Sequence, residues 1–386
     1  MPAAPGDHAP RKATAAPPGC LRLIADDLTG ALDTAVQFVA PTAPIDVFWQ
    51  PTLAFGSVAI DAGTRERDAA TAARRVAAQV SVFQPRPDAC HFAKLDSLLR
   101  GHASAEIRAW HEAMEFSHCL VAPAFPRLGR VTRGGRQYWR DNDAWRLADC
   151  DLAAELRACG FTVSLCRPGD AAPPGLSFWD AESDADLLAI AAAGNAVCGP
   201  VLWCGCGGLA TALGPGQAAK AARGALARPL LGLIGTDHPV TRAQLAECQA
   251  PVISLPEDGV RGAARIAEKL ATEGCVLVQC ALPDGIGRAA AAERIGREFA
   301  ALLRGLAPPA TLFVSGGETL RGVCDALAAN HLQLIGELLP GIPRSRLRGG
   351  RFDGVAVVSK SGAFGAPDTL RRLLDPGFTA VEGTPT

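Results

Sequence analysis

The chain has 386 residues, 48% of them hydrophobic and 20% charged, which allows a sizeable core and excludes wholesale disorder. Its 38 lysines and arginines stand against 39 aspartates and glutamates, so a nucleic-acid or anionic-membrane surface is not its main business. No run reaches the ~18 consecutive apolar residues of a membrane span.

Length points to roughly two to three domains at ~150 residues each. Residues 1–19 hold Ala, Pro, Gly and a few charges without an apolar h-region, and are expected to be a disordered tail, not a secretion signal. The 13 cysteines are an odd number without framework spacing. Cys119 and Cys275 sit in apolar runs, so the simplest account is a cytoplasmic protein with buried free thiols.

In chain order, 21–24 reads as a short buried strand ending at Asp26-Asp27. Thr29-Gly30 follows, then Ala31, Leu32, Ala35, Val36 and Phe38 recur at helical spacing. Strands are expected over 44–49 and 57–60, the latter leading to Asp61 and Arg65. A helix over 69–82 carries Ala72, Val76 and Val80 on one face. A strand over 90–93 runs into Lys94, Asp96 and Arg100, a helix follows to about residue 115, and a strand over 119–122 runs into 123–130. Residues 139–226 continue less clearly, with strands over 161–165 and 201–204 and an Ala-rich helical stretch over 217–226. A strand over 230–234 ends at Gly235-Thr236. Later come a helix after Thr241, a strand over 275–278 and a helix over 288–306. Strands over 312–314 and 354–358 run into Ser315-Gly316-Gly317-Glu318-Thr319 and Ser359-Lys360-Ser361-Gly362. Strand, polar turn and helix alternate, which predicts α/β architecture with mostly parallel sheets covered on both faces. The domain boundary is expected near residue 228, and no internal repeat is present.

Asp26 and Asp27 cannot both enter an apolar core unpaired. One could cap the following helix, or both could serve chemistry at the carboxyl edge of the sheet, where ligands bind in open α/β folds. Arg65, Lys94, Arg100 and Arg130 each follow a strand. Surface ion pairing is the plain reading of each alone; their convergence at one edge favours a small anionic ligand, such as a hydroxy-acid carboxylate. The two late glycine turns can present backbone N–H groups to phosphate, with Lys360 as a clamp. They could equally be ordinary tight turns. Gly205-Cys206-Gly207-Gly208-Leu209-Ala210 fits a dinucleotide turn, but no acid follows before Thr236. It reads as close helix–strand packing.

These pieces, in this order, resemble the four-carbon acid sugar kinase family. The resemblance rests on IADDLTGALDTA (24–35), KLDSLLRG (94–101), APAFPRLGR (122–130), SGGET (315–319), PGIP (340–343) and SKSGAFG (359–365), and spans nearly the whole chain. It implies two α/β domains, each a mostly parallel sheet flanked by helices, with the active site in the cleft between them. An N-terminal domain over 20–228 would hold a tetronate-type sugar acid and a C-terminal domain over 229–386 would hold ATP. The implied activity is ATP-dependent phosphorylation of a hydroxyl of that acid, with Mg²⁺ on the phosphates and metal ligands unassigned. Carried over, substrate falls at Asp26, Asp27, Arg65, Lys94, Asp96 and Arg100, and nucleotide at Thr236, Gly316, Gly317, Glu318, Thr319, Lys360, Gly362 and Gly365. Asp27 is the expected base, with Asp26 or Asp96 in reserve, and Arg100, aided by Lys94 or Arg65, the expected partner of the substrate carboxylate. Domain closure would bring the sites together. The chain departs from the family pattern at Leu32, Leu98, Ala363 and the Gly205-Cys206 and Gly235-Thr236 pairs. Two alternatives stand beside this expectation. One is an NAD-dependent sugar-acid dehydrogenase using Gly205–Ala210; the other is a non-catalytic sugar-acid-binding protein, suggested by Leu32 and Leu98. No nucleic-acid or membrane partner is expected, and a homo-oligomer is compatible with the sequence.

Overall fold

The computed structural model describes residues 19–40, 43–52, 56–83, 88–215, 225–255, 259–283 and 285–377. The expected tail up to residue 18, and residues 217–224 of the expected Ala-rich helix, lie outside the described residues.

The N-terminal half runs β1 (Cys20–Ala25), α1 (Leu28–Ala35), β2 (Ile45–Phe48), β3 (Val58–Asp61), α2 (Ala69–Val80), β4 (Ala89–Lys94), α3 (Ala103–Ala113) and β5 (His118–Ala122). There follow β6 (Arg130–Arg133), β7 (Arg136–Asp141), β8 (Ala144–Leu147), α4 (Leu152–Ala158), β9 (Val163–Cys166), β10 (Gly175–Trp179), α5 (Asp184–Asn195), β11 (Val201–Gly205) and α6 (Gly207–Leu213). The C-terminal half runs β12 (Leu230–Ile234), α7 (Pro239–Ala246), β13 (Val252–Leu255), α8 (Gly259–Glu273), β14 (Cys275–Cys280) and α9 (Arg288–Arg304). It ends with β15 (Thr311–Ser315), α10 (Gly317–Ala326), β16 (His331–Leu339), β17 (Ile342–Arg348), β18 (Ala356–Lys360) and α11 (Thr369–Leu374).

The local reasons are plain in the sequence. β1, β5, β12 and β15 are buried along their whole length, as strands covered on both faces must be. On α2, Ala72, Val76 and Val80 recur every four residues and are buried, and Asp68 caps the start by accepting from the Thr71 N–H at 2.9 Å.

Among the described residues, the sheet is one body of fifteen strands in the order β13-β14-β12-β15-β18-β17-β16-β2-β3-β1-β4-β11-β5-β10-β9. Each half contributes a mostly parallel sheet flanked by helices, as expected, and the two run on into one. Each half is parallel, but the β16–β17 hairpin joins them through antiparallel pairs with β2 and β18. Both hairpin strands mix buried with half-buried positions, and β17 carries Arg344, Arg346 and Arg348, so they lack the continuous burial of their neighbours. Two register shifts in β16 bend the hairpin. One hydrophobic core runs beneath both halves on one face, from Leu21 through Leu231 to Val357, and each half has a second core on the other face. β6, β7 and β8 form a separate antiparallel sheet, and β8 is exposed throughout.

Register aligns the strand ends. Ala25 pairs with Asp61 and Lys94, and Gly205 with Lys94 and Ala122. In the other half Ser315 pairs with Ile234 and Lys360. The loops carrying Asp26, Arg65, Asp96 and Arg130 therefore share one edge, and those carrying Thr236, Gly316 and Gly362 share another.

Candidate active site

Asp26 and Asp27 follow β1 and have different surroundings. Asp27 adopts extended backbone and caps α1, its Oδ1 accepting from the Gly30 N–H at 2.7 Å. Its side chain remains 27% exposed, against 4% for Asp26. Arg65 forks onto Asp26, with Nε to Oδ2 at 2.7 Å and Nη2 to Oδ1 at 2.9 Å. Its Nη1 donates to Asp27 Oδ2, and Nη2 lies 3.6 Å from Asp96 Oδ2. Burial raises the Asp26 pKa above the usual carboxylate value, with Arg65 and Lys94 opposing.

Arg100 forks onto Asp96 at 2.9 and 2.7 Å. Asp96 Oδ1 also accepts from the Leu98 and Arg100 N–H groups at 3.0 and 3.2 Å. Against its burial, this fork together with Arg65 and Lys94 holds the Asp96 carboxyl well below the usual range. The expected convergence of free cations is thereby modified. The forks of Arg65 and Arg100 are engaged by the chain's own carboxylates.

Lys94 differs. It is 5% exposed, and its ammonium makes no hydrogen bond or close ion pair among the described residues. Burial opposes its charge, but Asp26, Asp33 and Asp27 together raise its pKa. Asp33, beyond Lys94 on α1, is pushed up to about 6 by burial, with Lys94 opposing. Nζ lies where a Cβ on Gly30 would approach it to 2.9 Å, at the first turn of α1. Glu106, from α3, accepts from the Thr64 hydroxyl at 2.5 Å and is pushed up to about 7, chiefly by burial.

In the other half, the turn after β15 opens α10. Gly316 has φ 113°, a conformation that favours glycine. Gly235 and Gly316 crowd the Thr319 side chain, and Gly362 crowds Thr236; Cβ atoms at Gly235 and Gly362 would meet hydroxyl oxygens at 1.9 and 2.4 Å. The three turns thus form one packed unit. Lys360 is placed differently from the clamp expected. It is 1% exposed. Its Nζ donates to Thr241 Oγ1 and to the carbonyls of Ser361, Gly362 and Phe364 at 2.9–3.4 Å. Burial lowers its pKa to about 8. Lys360 shapes the 361–365 turn from within, helped by Gln244, which donates to the carbonyls of Phe364 and Ala366 at 3.0 and 2.9 Å. Gly365, at φ 90°, lies against Thr369 and Gln244. The PGIP turn reaches the same loop, Gly341 packing on the Phe364 ring.

The two halves meet at these turns. A Cβ on Gly317 would sit 2.1 Å from Thr29 Oγ1 and 3.7 Å from Asp27 Oδ2. One helical turn on, Arg321 Nη1 pairs with Asp61 Oδ2 at 3.1 Å, and its guanidinium lies 5.5 Å from the centre of the Trp49 ring. Asp61 is pushed up to about 6 by burial, which Arg321 opposes. Neither Arg321 nor Glu106 was among the residues expected at the site. Each sits inside a helix, with no motif to mark it.

Two features lie off the site. Gly205, Gly207 and Gly208 pack against Ala122 O, the Phe125 ring and Ala124 O, and Cys206 Sγ lies 3.2 Å from the carbonyls of Pro123 and Ala124. This turn is filled by the protein. Leu32 is fully buried in the core beneath α1, so its departure from the family pattern changes packing.

The chain matches the sugar-binding N-terminal domain over residues 21–155 and the nucleotide-binding C-terminal domain over 231–370. A D-threonate kinase of Bordetella bronchiseptica is 31% identical over 400 residues, covering 91% of this chain and 95% of its own. This chain belongs to the four-carbon acid sugar kinase family. A D-threonate kinase of Cupriavidus necator is also 31% identical, with 90% and 95% coverage. A D-erythronate kinase of Heliobacterium modesticaldum is 25% identical, with 93% and 97% coverage. The family fold appears in a solved structure from Salmonella typhimurium LT2, with TM-score 0.74 at 19% identity over 92% of this chain and 98% of that one. A Haemophilus influenzae structure gives 0.68 at 18% identity, with 92% and 99% coverage. Among the described residues no helix is long and apolar enough to cross a membrane.

Proposed function

We propose that this member of the family is an ATP-dependent kinase that phosphorylates a hydroxyl of a small, tetronate-type sugar acid. The observation that carries the reading is the meeting of the Gly316-Gly317 turn with Thr29 and Asp27. It sets a backbone fit for phosphate beside a carboxylate fit to receive a hydroxyl proton. In this reading residues 20–228 hold the acid and 229–386 the nucleotide. The turns at Thr236, Gly316–Thr319 and Gly362–Gly365 cradle the phosphates, with α10 presenting its N-terminus.

The hydroxyl oxygen bonds to the γ-phosphorus while the bond to the β–γ bridging oxygen breaks. ADP leaves with that electron pair, and the hydroxyl proton passes to Asp27. Asp27 is favoured over Asp26 because it is the more exposed and faces Gly317. Arg65 forks onto both Asp26 oxygens and reaches only Oδ2 of Asp27, whose Oδ1 caps α1, so the Asp26 pair is the main brace. Among the described residues no group of three potential metal ligands occurs. Mg²⁺ would come in on the phosphates, with Glu318 in the first turn of α10 as a carboxylate beside the turn. Mg²⁺ would neutralise phosphate charge. The 13 cysteines are free thiols, which supports a reducing, cytoplasmic setting.

ADP release measured over a panel of four- and five-carbon sugar acids tests the reading. Acid-dependent release with a four-carbon acid is expected. Binding without turnover, or turnover only with NAD, would overturn it.

A further inference from the structure

Arg65 and Arg100, the two guanidinium groups nearest Asp26 and Asp96, already spend their forks on those carboxylates. Arg130 does not. It opens β6, just beyond the loop that follows β5, and the backbone pair between Phe125 and Arg130 closes that loop. The side chain is half-buried. Nη1 donates to Leu128 O, while Nε is buried with no partner among the described residues. No carboxylate pairs with it there. The segment lies against the Asp96 loop, because Gln137 Nε2 on β7 donates to Ser97 O at 3.0 Å and to Pro123 O at 3.4 Å. Asp96, Arg100 and Cys206 are its charged or titratable neighbours, and burial works against its charge.

We propose that Arg130 receives the carboxylate of the acid substrate, while Arg65 and Arg100 brace Asp26, Asp27 and Asp96. This rests on the kinase reading above and deepens it by naming the residue that selects an acid over a neutral sugar. A buried guanidinium N–H without an acceptor is costly, and a ligand carboxylate supplies one. The fork suits a planar carboxylate. The acid would then lie with its charged end at the Arg130 loop and a hydroxyl at Asp27, against Gly317.

The test compares wild type, Arg130→Gln and Arg130→Lys in ADP release with the preferred sugar acid and with its uncharged amide. Arg130→Gln should raise KM for the acid about 10- to 100-fold, with kcat and KM for ATP within about threefold, as expected when a uniformly binding contact is lost. Its preference for acid over amide should shrink by the same factor. Arg130→Lys keeps the charge but not the fork and should fall between. Unchanged KM for the acid in a wild type that turns over would overturn the role of Arg130 and leave the kinase reading standing. No acid-dependent release by wild type would overturn both. Should Arg130→Gln fail to fold, Arg130→Lys decides alone, an unchanged KM and acid-to-amide preference counting against the proposal.

Discussion

Gly317 and Thr29 touch across the two halves of the chain: a Cβ on Gly317 would lie 2.1 Å from Thr29 Oγ1. The contact joins the first residue of α10 to the first turn of α1. It sets the turn that follows one parallel sheet against the carboxylates that follow the other. The continuous sheet and the Arg321–Asp61 pair hold the halves in this relation.

Gly317→Ala should therefore cost stability as well as activity. Overpacking of this size is worth about 1–3 kcal/mol. Urea denaturation should register the loss, and Thr29→Ala in the same chain should restore most of it, because the clash is with the hydroxyl. Additive losses in the double variant would show that the two residues do not oppose each other.

Lys360 gives a second case. Removing its ammonium takes one donor each from a hydroxyl and three carbonyls in a buried turn. Lys360→Met should destabilise the chain by about 2–4 kcal/mol. ATP affinity, read by calorimetry, should fall with it. Weakened ATP binding in a chain of unchanged stability would instead mark Lys360 as a direct phosphate ligand.

Much of this site was legible in the sequence. Asp26, Asp27, Lys94 and Asp96 follow short apolar strands, and parallel pairing brings such strand ends to one edge. The glycine turns were legible for the same reason. Their partners were not. Whether Arg65 and Arg100 meet a ligand or a neighbouring carboxylate depends on side-chain direction, which strand periodicity does not carry. Lys360 read as a clamp because small residues flank it, yet its side chain turns inward beneath its own loop. The β16–β17 hairpin escaped notice because its strands mix buried with half-buried positions, and the arginines of β17 resemble those of a surface segment. Its antiparallel pairing makes two expected sheets into one.

Glu106 carries a pH prediction. Its folded pKa is raised from the ordinary value of 4.5 to about 7 by burial, with Asp26 adding to the shift. A carboxyl raised in the folded state favours folding most at low pH, and that contribution is lost as pH rises through the window from about 4.5 to about 7. Glu106→Gln keeps an acceptor for Thr64 and has no charge to bury. Its stability relative to wild type should grow across that window and level off above it, by on the order of 2–3 kcal/mol. A stability difference independent of pH in denaturant titrations would remove the buried charge as its cause.

The central claim places proton transfer at Asp27 beside the phosphate turn, and the rate of Asp27→Asn tests it most directly. Asparagine caps a helix as well as aspartate, so α1 should hold. With the base removed, kcat for acid-dependent ADP release should fall ~10²–10⁴-fold, while the acid still binds. Near-normal kcat in the folded Asp27→Asn protein would contradict the account and leave Asp27 as a cap alone.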